Sequence, residues 1–521
     1  MPTGPVVLCI LDGIGWGRRD RGDAVFLAKT PHLDRLSKDH PWTLLSAHGV
    51  AVGMPSDGDM GNSEVGHNAM GAGRVFDQGA KLVQGAVAAG TIWSSDAWRA
   101  ATQGQTLHLI GLVSDGNVHS HIDHLRAMIQ RAHKDGVKRL RVHALTDGRD
   151  VSARSALGFI EPLEALLAGI PEDYAVGSGG GRMLITMDRY EADWPMVERG
   201  WRTHVQGEGR RFASASEAIR TMYEEDDSVD DQYLPSFVVG DYDGMHDGDA
   251  AILFNFRGDR AVQLCKAFDD SEFTAFARDR VPRVFFAGMM QYDGDLLLPR
   301  HYLVQPPIIT DTVGEQLAQA QIRTFAISET QKYGHVTYFF NGNRGEQPES
   351  ETWRELPSVS VPFDQRPEMS ADSVTEAAIV AIHSGQFDHI RLNLANGDMV
   401  GHTGQLQPTI EAVECVDACV GRLQAAVEAV GGTLLVTADH GNADQMFGLD
   451  KRTGGYIDEP HTSHSLNPVP LWLFDPVGSR RLTAESGPTV SGTIAQIGGT
   501  LLDIHGVPLP STYLPSLLRK S

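Results

Sequence analysis

The sequence predicts an α/β protein of two domains, each built on a mainly parallel sheet flanked by helices. Three observations carry this. The chain has 521 residues, more than one ordinary hydrophobic core serves. Short apolar runs recur along it, and each ends in a polar or charged cluster. Helical patterns lie between them, and 56 glycines and 26 prolines supply the turns such a fold needs.

The runs come in order. Val6–Leu11 leads to Asp12, Leu107–Val113 to Ser114-Asp115-Gly116, and Leu140–Leu145 to Asp147-Gly148-Arg149-Asp150. Ala251–Phe256 leads to Arg257-Gly258-Asp259-Arg260, Ile390–Leu394 to Asn396-Gly397-Asp398, and Thr433–Thr437 to Asp439-His440. Strands without polar alternation are buried on both faces, which indicates parallel sheets covered by helices. Ligands then bind beyond the carboxyl ends of the strands, where the reactive residues stand here. Of the helices, one starts near Pro408 and buries Ile410, Val413, Val416, Val420, Leu423 and Val427, and Gly431-Gly432 closes it. Gln305-Pro306-Pro307 and the stretch after Gly71–Arg74 read as connectors. Residues 78–307 are therefore expected to be a domain inserted into one formed by 1–77 and 308–521.

Composition narrows the function. With 41% hydrophobic and 21% charged residues the chain is of globular type, and its formal net charge of −23 opposes binding to nucleic acid or anionic membrane. No apolar run is long enough to span a bilayer. The first residues enter a buried strand without a basic leader segment, so a cytoplasmic protein is expected. The four cysteines, Cys9, Cys265, Cys415 and Cys419, read as packed thiols of a reducing compartment. An anionic small-molecule substrate would require a local cationic pocket.

Three groups of residues carry chemistry. Asp398 and His402 stand four apart after a strand, Asp439-His440 follow another, and His461 and His464 follow a turn. Together with Asp12 they form an oxygen and nitrogen donor set that suits Mn²⁺, Mg²⁺ or Zn²⁺. Ser63, in Gly61-Asn62-Ser63-Glu64-Val65-Gly66-His67, precedes a helix whose N-terminus favours phosphate, although a serine there is also an ordinary helix cap. Arg149, Arg182, Arg189, Arg257 and Arg260 all fall in the insert and suit a small dianion held bidentately.

Taken together, the ordered stretches Val6–Gly17, Gly61–His67, Ser114–His121, Asp147–Val151, Gly181–Arg189, Asn255–Arg260, Lys332–Thr337, Asn396–His402, Thr437–Asn442 and His461–Pro470 resemble the motifs of the cofactor-independent phosphoglycerate mutases of the alkaline phosphatase superfamily. That resemblance implies interconversion of 3- and 2-phosphoglycerate in glycolysis and gluconeogenesis through a phosphoserine on Ser63. It implies two divalent cations, with Mn²⁺ expected, and no 2,3-bisphosphoglycerate cofactor. Asp398, His402 and His464 are expected to hold one metal; Asp12, Ser63, Asp439 and His440 the other. His464 fits the ligand position better than His461.

The split domain would then be an alkaline-phosphatase-like metal domain and the insert a phosphotransferase domain. His119, Arg149, Asp150, Arg182, Arg189, Arg257, Arg260 and Lys332 are the implied substrate contacts. Asp150 is the implied base, oriented by Arg149, and Lys332 would reach the transferred phosphoryl group. His121 and His124 are read as structural, and the protein is expected to be a monomer. A related metal phosphatase or phosphopentomutase would keep the metal ligands but lack the set Arg149-Asp150, Arg182, Arg189, Arg257 and Arg260.

Overall fold

The structure, a computed structural model, describes residues 4–519 except 189–192, 271, 294–295, 308, 451–452, 454, 477–479 and 485. Arg189 thus lies outside the described residues. The chain divides into two units, Met1–Gln78 with Ile308–Ser521, and Gly79–Pro307.

Edge to edge, the first unit's sheet runs Glu351–Leu356, Thr324–Glu329, His389–Leu394, Val6–Leu11, Thr433–Thr437, Val469–Phe474, Trp42–Ser46 and Val490–Thr493. The first five strands are mutually parallel. Val469–Phe474 is antiparallel to both its neighbours. Every residue of Val6–Leu11, His389–Leu394 and Thr433–Thr437 is buried, which requires cover on both faces. The helices Ala371–Ser384 and Leu406–Ala429 pack on each other and on these strands, as does Gln496–His505. Pro408 stands in the first turn of Leu406–Ala429, where its missing N–H costs nothing.

In the second unit the order is Tyr302–Val304, Phe285–Met290, Ala250–Leu253, Leu107–Leu112, Arg139–Thr146, Asp173–Gly181, Phe237–Val239 and Arg210–Phe212. The first six are parallel. Ala250–Leu253 ends before the run to Phe256 expected from sequence. Phe256 N–H donates to His119 O instead of to a strand, at 2.7 Å. Asp173–Gly181 escapes an apolar pattern search because it ends in Gly-Ser-Gly-Gly-Gly. Among the described residues, no helix is long and apolar enough to cross a membrane.

Not all of the interior is apolar. Arg391 and Asn393 alternate with Ile390, Leu392 and Leu394, so both point to the same side of one strand. The Arg391 guanidinium forks onto Glu351 at 3.1 and 2.7 Å and reaches Val336 O at 2.6 Å. Burial opposes the Glu351 charge, yet Arg391, Trp353 and Asn341 hold its carboxyl below the ordinary range. A carboxylate lowered in the fold stabilises above its unfolded value, about 4.3, and loses this as pH falls through the folded one. Arg391→Met should therefore destabilise by about 3–5 kcal/mol at pH 7 by leaving Glu351 buried without its counter-ion. Adding Glu351→Gln should recover much of that. Urea unfolding of the single and double variants measures both, and a double variant no more stable than the single would refute the account.

Candidate metal and nucleophile site

Parallel strands place their carboxyl ends on one rim of the first unit's sheet. Asp12 directly follows Val6–Leu11, and Asp439 and His440 follow Thr433–Thr437. Asp398 lies on Asn396–Gly401 after His389–Leu394, and Lys332 on Thr330–Gly334 after Thr324–Glu329. Val469–Phe474 runs the other way, so its beginning meets this rim and delivers His464; Ser465 N–H bonds Gly441 O at 2.9 Å. Ser63 opens the helix Ser63–Ala72, but Asn62 is its cap, accepting from Val65 N–H at 3.0 Å. The capping role open to Ser63 is thus taken by its neighbour, and its hydroxyl is directed elsewhere.

That hydroxyl lies 3.3 Å from Asp12 Oδ1, 3.0 Å from His440 Nε2 and 2.5 Å from Lys332 Nζ. Lys332 Nζ also touches Asp12 Oδ1 at 2.8 Å and Asp398 Oδ2 at 2.7 Å. Asp398 Oδ1 is 2.9 Å from His402 Nε2 and 3.3 Å from His464 Nε2, and these two nitrogens are 3.2 Å apart. His440 Nε2 stands 3.4 Å from Asp12 and 3.8 Å from Asp439. All these residues are buried. Burial opposes charge on His440, but Asp439, Asp12 and Asp398 outweigh it and lift its pKa to about 9. Asp398 is driven well below the carboxylate range against its burial by His402, Lys332 and His464, and Asp439 is lowered by His440, His67 and Lys332.

The donor set fits divalent cations. His402 Nδ1 bonds Thr462 O at 2.6 Å and His464 Nδ1 bonds Gly61 O at 2.9 Å. A carbonyl only accepts, so each Nδ1 donates its proton there, and each Nε2 faces the other ring and Asp398, where it can ligate an ion when it carries no proton. Three lone-pair donors converging within about 3 Å match the ligand edges around an ion with bonds near 2.1 Å. Asp398, His440 and His464 form one such group of donors and Asp12, Asp439 and His440 a second. His461 stands apart, bonded to Gln445 O at 3.0 Å and Ser463 Oγ at 3.1 Å.

The second unit gathers other expected residues at its own strand ends. Asp147 Oδ1 accepts from Arg149 N–H at 3.1 Å, Asp150 N–H at 3.0 Å and Arg182 Nη1 at 2.7 Å, and Ser114 Oγ donates to Oδ2 at 2.5 Å. Arg182 Nη1 also reaches Asp150 Oδ2 at 2.5 Å. Burial, and then the neighbouring Asp150, raise the Asp147 pKa against the pull of Arg182. Arg257 Nε and His119 Nδ1 lie 3.1 and 3.6 Å from Asp259 Oδ1, and Arg260 Nη1 donates to Met187 O at 2.7 Å. His121 caps Ile122–Lys134, and burial drops the His124 pKa to about 4.

Sequence reasoning assigned no role to Asn393, His67, Asp147 or Asp259. Asn393 Nδ2 donates to Asp12 Oδ2 at 2.7 Å, and His67 Nδ1 is 2.8 Å from Ser63 O and 3.3 Å from Asp439 Oδ2. A polar residue interrupting an apolar strand, and a histidine four positions after the serine on one helix, were the available signals.

Comparison with known proteins identifies a metalloenzyme. Residues 4–509 match the model of the metalloenzyme superfamily. The chain is 50% identical over 99% of its length to the "Probable 2,3-bisphosphoglycerate-independent phosphoglycerate mutase" of Leptospira interrogans serovar Lai, covering 97% of that protein. It is 49% identical over its full length to the 2,3-bisphosphoglycerate-independent phosphoglycerate mutase of Trypanosoma brucei brucei, covering 98% of it. A crystal structure of Leishmania mexicana phosphoglycerate mutase, described as at low cobalt concentration, superposes with a TM-score of 0.97 at 46% identity, with 100% and 98% of the two chains covered. The chain belongs to the metalloenzyme superfamily and, within it, to the 2,3-bisphosphoglycerate-independent phosphoglycerate mutases, the isomerases of 3- and 2-phosphoglycerate.

Proposed function

We propose that Ser63 takes the phosphoryl group from 3-phosphoglycerate, and that the 2-hydroxyl of the same glycerate takes it back from the resulting phosphoserine. The carrying observation is the setting of Ser63 Oγ, 2.5 Å from Lys332 Nζ and 3.0 Å from His440 Nε2 at the start of a helix. The lysine's positive charge favours the alkoxide, and the helix N–H groups favour phosphate oxygens. Asp398, His402 and His464 would hold one divalent cation and Asp12, Ser63, Asp439 and His440 a second, with Mn²⁺ the expected ion. When bound, the cations would supply positive charge that acidifies the serine hydroxyl and offsets phosphoryl charge.

The split unit is thus the metal-binding phosphatase domain and the residue 79–307 unit the phosphotransferase domain. In the latter, His119, Arg149, Arg182, Arg257 and Arg260 bind the anionic substrate and Asp150 takes the proton of the glycerate hydroxyl. Asp147 supports that role by fixing the turn that carries Arg149 and Asp150. This cationic set resolves how a chain of net charge −23 takes an anion. Its expected setting is the cytoplasm, acting as a monomer.

Ser63→Ala should abolish conversion of 3-phosphoglycerate in an assay free of 2,3-bisphosphoglycerate, and mass spectrometry of quenched wild-type enzyme should find phosphate on Ser63. Phosphate on a histidine, or activity only after bisphosphoglycerate is added, would overturn the mechanism. Arg257→Met should raise KM or lower kcat with little change in Tm. Normal kinetics with a large loss of Tm would assign Arg257 to the fold alone.

A pH dependence follows from His440. Its pKa is raised to about 9 without metal, so below that pH a proton must leave before its Nε2 can bind an ion. Mn²⁺ affinity should therefore rise with pH up to about 9, by roughly tenfold per unit for each proton displaced. In pH–rate profiles, the acid limb should move to lower pH as Mn²⁺ is raised. Mn²⁺ affinity equal at pH 6.5 and 8.5 by titration calorimetry would rule this out.

A further inference from the structure

Asp444 has no part in the ligand set, yet it stands on one of the loops that carry it and touches two more. Its buried carboxylate accepts from Gly15 N–H at 3.1 Å, from Ser465 Oγ at 2.7 Å and from Asn467 Nδ2 at 2.7 Å. Gly15 lies in the loop of Asp12, Ser465 directly follows His464, and the loop of Asp444 itself begins at Asp439 and His440. The approach is close enough to exclude side chains. A Cβ on Gly15 would collide with the carboxylate, and one on Gly441 would stand 2.5 Å from Asp444 Oδ1. Glycine at both positions is what lets this carboxylate sit between the loops.

We propose that Asp444 is a positioning residue for the metal centres: one ionised side chain that sets the relative placement of Asp12, His440 and His464. An ionised carboxylate is acceptor-only, with lone pairs to serve three donors from two other segments at once while it stands on a third. Each strand end fixes its own loop, but a strand cannot fix the distance between loops to the few tenths of an ångström that an ion requires. The carboxylate does so from behind, without occupying a ligand position. Asparagine has nearly the same shape but turns an N–H₂ towards donors, so it tests the acceptor role and not the volume.

The inference rests on the ligand assignment above, and the experiment separates the two. Metal-free wild type, Asp444→Asn, Ser465→Ala and His464→Ala are titrated with MnCl₂ by calorimetry at pH 8, and their Tm values without metal are recorded. Asp444→Asn should weaken Mn²⁺ binding about ten- to a hundredfold, with kcat recovering as Mn²⁺ is raised. Ser465→Ala, which keeps the Ser465 N–H bond to Gly441 O, should act in the same direction with a smaller effect. Wild-type Mn²⁺ affinity in Asp444→Asn, whether or not its Tm falls, would overturn the positioning role. If that variant does not fold, unchanged affinity in Ser465→Ala overturns it. Unchanged affinity in His464→Ala would instead refute the ligand assignment.

Discussion

Asp12, Asp398 and Asp439 are held against one another in a buried pocket, and this crowding of negative charge is the constraint from which the rest of the first unit follows. Each buried carboxylate without compensation would cost several kcal/mol. The protein answers with Lys332 between Asp12 and Asp398, a His440 that keeps its proton to about pH 9, and amide donors from Asn393 and Asn442. The imidazole nitrogens crowd the same place: the Nε2 atoms of His402 and His464 lie 2.9 and 3.3 Å from Asp398 Oδ1 and 3.2 Å from each other. A cation relieves both conditions at once. Affinity for metal is, in this sense, the remainder of an electrostatic balance that the fold sets up before any ion arrives.

The second unit meets the opposite problem with the same architecture. Its parallel strands also end on one rim, but there the excess is of guanidinium groups, and carboxylates do the balancing. Arg182 is wholly buried between Asp147 and Asp150, which fixes its fork and theirs. Asp259 stands similarly beside Arg257 and His119. Aspartates thus carry the charge in one unit and orient it in the other.

Six strands were legible as continuous apolar runs, because burial on both faces leaves no polar break, and the polar clusters after them marked the rims. Others were not, the apolar Phe285–Met290 among them. Asp173–Gly181 is largely glycine at its end, and Val469–Phe474 reads like its parallel neighbours although its direction is reversed. Periodicity reports burial and is silent about direction. Of the site, the residues that contact one another through ligand atoms had recognisable types and spacings. Asp147, Asp259, Asn393 and Asp444 did not, because each has contacts with residues far away in sequence, and an aspartate among 67 acidic residues has no local mark of such a contact.

Strand order has a consequence for synthesis. Val6–Leu11 is made long before either of its partners, and it is apolar throughout. Both of its partners, His389–Leu394 and Thr433–Thr437, lie late in the chain. About 380 residues separate it from the nearer one, which at 5–20 residues per second is a delay on the order of 20 to 80 s. The intervening unit can complete its own sheet during that time, whereas the first strand has no ladder to join. While the ribosome is still at work the nascent chain therefore presents an unpaired hydrophobic edge, which must be shielded by a chaperone or by transient burial. The proposed metal centre is later still, since it cannot be complete until His464 has been made.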